Sequence, residues 1–128
     1  NGSQAALYQG SDQRDRLTVT RVKFSADGER LSGFEISGHC SSDSDDMTGK
    51  IVCAAVSSAA YMAANTVTEI IGDRAETEID DAVMKFRVIN PSDATVKVLE
   101  GLKLHLEQLS GQYGSNIKIY GGAKHVKD

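Results

Sequence analysis

The sequence predicts an α+β fold: a mixed, mainly antiparallel sheet of about five strands in the order ββαββαβ, with two helices packed on one face. Three observations carry that reading. Short stretches with alternating side chains flank turn-forming Asp-Gly and Asp-Asp pairs. Two longer stretches place apolar residues three and four apart, the period of a helix with one buried face. The length of 128 residues, 40% of them hydrophobic, suits one compact domain.

Residues 1–16 show no sustained apolar period and begin without methionine, so they read as a disordered tail or expression-tag remnant. The folded domain is expected over 17–128. From Leu17 to Ser25, Thr18, Thr20, Val22 and Phe24 share one side of a strand. Asp27-Gly28 marks a hairpin turn, and Leu31 to Gly38 runs back as the second strand. Residues 41–49 are polar and read as a loop, able to act as a lid.

Ile51 to Ile71 is the main helix. Val52, Ala55, Val56, Ala59, Ala63, Val67 and Ile70 form its expected core face, and Gly72 ends it. Arg74–Ile79 and Ala82–Ile89 form a second hairpin around Asp80-Asp81, with Met84, Phe86 and Val88 on one face. Pro91 stops that strand, and Ser92 or Asp93 caps the next helix, whose face carries Thr95, Leu99, Leu102, Leu106 and Leu109. Asn116 to Tyr120 is the fifth strand.

Charge and composition narrow the class. A net charge of −4 with 14 scattered Lys and Arg leaves no basic stripe for direct nucleic-acid binding. The best apolar stretch, 51–71, is interrupted by Ser57, Ser58, Asn65, Thr66, Thr68 and Glu69, so no membrane span is expected. Two cysteines do not make a disulfide framework, and a reducing, cytoplasmic setting is expected.

The chemistry concentrates around Cys53 and His39. A thiol placed in the first turn of the predicted helix meets unpaired amides that favour the thiolate. His39, 14 residues upstream, ends a strand across the polar loop and would serve as general base. His105 and His125 lack that setting. Asp45 or Asp46 could orient the imidazole, or simply be solvated. Ser57, one helical turn beyond Cys53, could support it or bond back to its own helix. Lys50 could add positive charge beside the thiol, and Val52 and Val56 could line an apolar pocket for substrate. A metal held by His39, Cys40 and Cys53 has paired ligands on only one arm, so neither metal nor cofactor is expected.

Gly38-His39, a polar loop, and then Ile51-Val52-Cys53-Ala54-Ala55-Val56-Ser57 resemble the signature of the ribosomal processing cysteine protease (Prp) family. The resemblance runs from about Leu17 to the C-terminus and makes Gly38 and Ser57 motif residues. The family usually carries an aspartate three residues before the cysteine, where this sequence has Lys50. The resemblance implies a narrow-specificity endopeptidase with Cys53 as nucleophile and His39 as acid and base. It also implies a small cytoplasmic homodimer that removes an N-terminal extension from a large-subunit bacterial ribosomal protein. The rival is a non-enzymatic ribosome-assembly or scaffold protein in which Cys53 is merely buried.

Overall fold

The computed structural model describes residues 18–38 and 46–122. Strand β1 (Thr20–Asp27) turns through Gly28 and Glu29 into β2 (Arg30–Gly38). Gly28 has φ +67°, a backbone region that glycine enters without penalty, which suits the tight Asp-Gly turn. Helix α1 (Met47–Asn65) follows and widens over Thr66–Ile71 into a π-helical turn. The second hairpin pairs β3 (Ala75–Ile79) with β4 (Val83–Val88). Helix α2 (Asp93–Gln112) then leads to β5 (Ile117–Gly121).

The five strands lie in the order β3-β4-β2-β1-β5. All pairs are antiparallel except β1 with β5, which is parallel. The expected mixed sheet and ββαββαβ order are therefore both present. Alternation sorts the strands as read from sequence: Thr20, Val22 and Phe24 are buried, while Arg21, Lys23 and Ser25 are exposed or nearly so. Phe24, Phe34 and Phe86 meet as neighbouring rings at 6.3 and 5.3 Å between centroids, and Val52, Val56, Leu99 and Leu106 cover them from the helices.

Two expectations about α1 need correction. The helix starts at Met47, four residues earlier than read, so Met47, Thr48 and Gly49 are helical and not part of a lid. Its other end changes pitch. The hydroxyls of Thr66 and Thr68 bond back to the carbonyls of Met62 and Ala64, and the π turn advances less per residue than an α-helix. Ile70 consequently leaves the core face and is 79% exposed. Ala55 and Ala59 are half-buried, and Ala60 and Ala64 take the buried positions beside Val56 and Ala63.

The 25 residues Met47–Ile71 are long and apolar enough to cross a membrane by length and composition, which the sequence reading had denied. In the fold, Val52, Val56, Ala60, Ala63 and Val67 pack into the core shared with the sheet, as the core helix of a globular domain does.

Candidate active site

The start of α1 is held by a carboxylate. Asp46 caps the helix, accepting from the Gly49 amide at 3.0 Å through Oδ1. Its Oδ2 accepts from the Thr18 amide and from Asn116 Nδ2, both at 2.9 Å. Asn116 Nδ2 also donates to the Thr18 carbonyl, so one buried amide joins three segments. Burial opposes the charge on Asp46, yet the amides of Thr18 and Gly49 and the Asn116 side chain outweigh it and hold the carboxyl below its ordinary pKa. Its described partners make Asp46 a helix-start anchor; His39, which the sequence had Asp45 or Asp46 orient, lies outside the described residues. Gly49 is demanded here, since a Cβ would lie 2.5 Å from Asp46 Oδ2 and 2.6 Å from Thr18 Cβ.

Cys53 lies in the second turn of α1, not the first. The first turn closes with the Lys50 amide donating to the Asp46 carbonyl, so the Cys53 amide is past the unpaired donors of the helix end. It is not among the unpaired amides expected to favour the thiolate, and the macrodipole effect, which fades beyond the first turn, is weaker there. Cys53 is 5% exposed and disulfide-bonded. The chain's other cysteine, Cys40, lies outside the described residues, as do His39, Asp45 and His125. The free thiol expected at Cys53 therefore stands in oxidised form.

A cavity of about 360 Å³ opens beside this sulfur. Its floor is one stripe of α1, with Cys53, Ser57 and Tyr61 at successive turns. Facing them are Gly38 at the end of β2, Thr20 on β1, and the turn between β3 and β4. Gly38 has φ +139°, and a Cβ there would fall 2.4 Å from the Val19 carbonyl oxygen, so the position excludes side chains. It is also the residue immediately before His39.

The structure thus brings Gly38, Cys53 and Ser57 together. Lys50 is half-buried in the first turn of α1. Val52 and Val56, read as pocket residues, are 1% and 0% exposed in the core and do not line this cavity. His105, the rival histidine, lines a different groove between α1 and α2. Sequence reasoning missed Thr20, Tyr61 and Asp81. Tyr61 was reachable, standing two turns from Cys53 on the same side; Thr20 and Asp81 arrive by sheet pairing alone.

The family described as cysteine protease Prp matches residues 19–118. No curated protein matches the sequence significantly. Among solved structures, SMU.848 from Streptococcus mutans superposes with a TM-score of 0.73 at 20% identity, covering 83% of this chain and 99% of that one. The essential ribosomal processing protease Prp from S. aureus, in complex with a substrate peptide, gives 0.72 at 20% identity over 80% and 99%. The same protease with a covalently linked product peptide gives 0.69 at 19% identity over 80% and 99%. At these identities the superpositions establish a shared fold.

Proposed function

We propose, for a chain that belongs to the cysteine protease Prp family, that it is a narrow-specificity endopeptidase removing an N-terminal extension from a large-subunit bacterial ribosomal protein. The observation that carries this reading is the cavity in which Cys53 and Ser57 face Gly38, the residue next to His39 in sequence. The S. aureus relative, named as a ribosomal processing protease and holding a substrate peptide, supports the substrate class.

The reaction begins once Cys53 is reduced. His39 takes the thiol proton, and the thiolate attacks the scissile carbonyl carbon. Collapse of the tetrahedral adduct breaks the C–N bond, with His39 protonating the leaving amine. Water, deprotonated by His39, then attacks the thioester and frees Cys53. A reducing cytoplasm would keep the thiol available. The exposed Met62 and the groove it shares with Ala55, Ala59 and Val98 support the expected homodimer.

The disulfide and 5% exposure of Cys53 favour the rival reading of a non-enzymatic assembly protein. Incubating the reduced protein with precursor forms of large-subunit ribosomal proteins, and mapping new N-termini, separates the two. One new N-terminus, absent with Cys53→Ala, is expected. Intact precursors after full reduction would leave the scaffold reading.

A further inference from the structure

Thr20 carries an unexplained polar atom. It is 1% exposed on the core-facing side of β1, and its hydroxyl oxygen is buried without a hydrogen-bond partner. Folded proteins rarely leave such a group unpaired unless something else uses it. Among the described residues the second such hydroxyl, Thr95, lies beside the Asp73 carboxylate and favours its ionised form. Thr20 instead lines the cavity that contains Cys53.

We propose that in the reduced protein the Thr20 hydroxyl donates a hydrogen bond to the Cys53 thiolate. The inference rests on Cys53 being the nucleophile of the proposed reaction. A disulfide sulfur is neutral and a poor acceptor, which leaves the hydroxyl unpaired in the oxidised form. A dithiol reductant converts the disulfide to two thiols and itself becomes a disulfide; Cys53 then gives its proton to His39 or to water. The resulting anion is the strong acceptor that a lone buried donor requires. The backbone holds the donor in place, since the Thr20 amide donates to the Asn116 carbonyl at 2.9 Å and Thr20 pairs with Gly38 across the β1–β2 ladder.

Other groups bear on the same sulfur. Asp46 and Lys50 precede it on α1, Tyr61 follows it, and Asp80 and Asp81 face it from the β3–β4 turn. His39 adjoins Gly38 in sequence. Substituting Thr20 leaves all of these in place, so the difference isolates the hydroxyl.

The test alkylates the reduced full chain with iodoacetamide across roughly pH 5 to 10 and follows Cys53 by peptide mass mapping. In Thr20→Val the midpoint should rise by about one pKa unit, because a donor to the charged form is lost. The limiting rate at high pH should not change, and Thr20→Ser should titrate like the wild type. Melting of oxidised Thr20→Val should be unchanged or higher, since it deletes an unpaired polar atom. An unmoved midpoint overturns the proposal, as does a lower limiting rate with an unmoved midpoint, which would mark packing alone. Should the valine variant misfold, Thr20→Ala takes the same measurement. Precursor cleavage is assayed alongside. A shifted midpoint without cleavage ends the protease reading and keeps the hydrogen bond, whereas cleavage without a shift does the reverse.

Discussion

Asn116 Nδ2 donates to Asp46 Oδ2 at 2.9 Å, joining two residues 70 positions apart in sequence. The same amide serves the Thr18 carbonyl, so Asn116→Ala would take one donor from each of two acceptors in a part-buried network. A loss of roughly 1–3 kcal/mol in folding stability is expected, read from the urea midpoint with an unchanged slope. Asp46→Ala, which also removes the helix cap, should cost at least as much. If Asn116→Ala melts like the wild type, the joint contributes nothing to the fold.

Acid should weaken the fold in a defined window. Amides hold Asp46 below the ordinary value of 3.8, and the Ser92 amide holds Asp73 below it as well. A carboxyl whose folded pKa is depressed stabilises the fold fully above its unfolded pKa, and loses that contribution as pH falls through the folded value. Melting temperature should therefore be nearly flat from about pH 7 to 5 where these groups are concerned, then drop below about pH 4. Asp73→Asn should melt lower at neutral pH and show a shallower acid limb.

Gly38→Ala should be severe. The backbone angle of +139° is hostile to a Cβ, which would also meet the Val19 carbonyl at 2.4 Å. A destabilisation on the order of 2–4 kcal/mol is expected from strain and clash together. Precursor cleavage should fall even at temperatures where the variant stays folded, because the neighbouring residue is His39. Normal cleavage by a folded variant would detach Gly38 from the site.

Lys50→Asp exchanges a cation for an anion in the first turn of α1. The macrodipole favours that change by about 0.3–1 kcal/mol, partly offset by Asp46 one turn earlier. Removing positive charge near Cys53 should raise the thiol midpoint modestly in the alkylation assay while cleavage persists. A lowered midpoint with much faster cleavage would make the acid at this position a working part of the site.

Ala59→Arg places a charged chain in the groove between α1 and α2. If two copies meet there, sedimentation should show a dimer for the wild type and a folded monomer, by circular dichroism, for the variant. A wild-type monomer at high micromolar concentration removes the dimer.

Where local pattern decides, the fold was legible. Alternation placed Thr20, Val22 and Phe24 inward, Asp27-Gly28 set the first turn, and Ser92 caps α2 by accepting from the Thr95 amide. Legibility ended where distant residues intervene. Met47-Thr48-Gly49 is a poor helical start by propensity, and it becomes helical because Asp46, itself tied to Thr18 and Asn116, supplies the cap. The π turn at Thr66–Ile71 likewise broke an apolar period that predicted Ile70 inside. In the candidate site, Cys53, Ser57 and Gly38 were readable from spacing and motif. Tyr61 was reachable by the same helical spacing, whereas Thr20 and Asp81 come from a strand and a turn that only the folded sheet assembles beside them.

The parallel pairing of β1 with β5 has a consequence for synthesis. Thr18 and Asn116 are 98 positions apart, yet they are bonded, and the Thr20 amide needs the Asn116 carbonyl. A chain emerging residue by residue forms the first hairpin early, but waits for β5 before that flank of the sheet and the start of α1 are secured. Contacts so far apart in sequence are costly to close and come late. A ribosome-bound nascent chain ending before Asn116 should thus hold the start of α1 loosely, which would keep the candidate site unassembled on the particle that makes it until synthesis has passed β5.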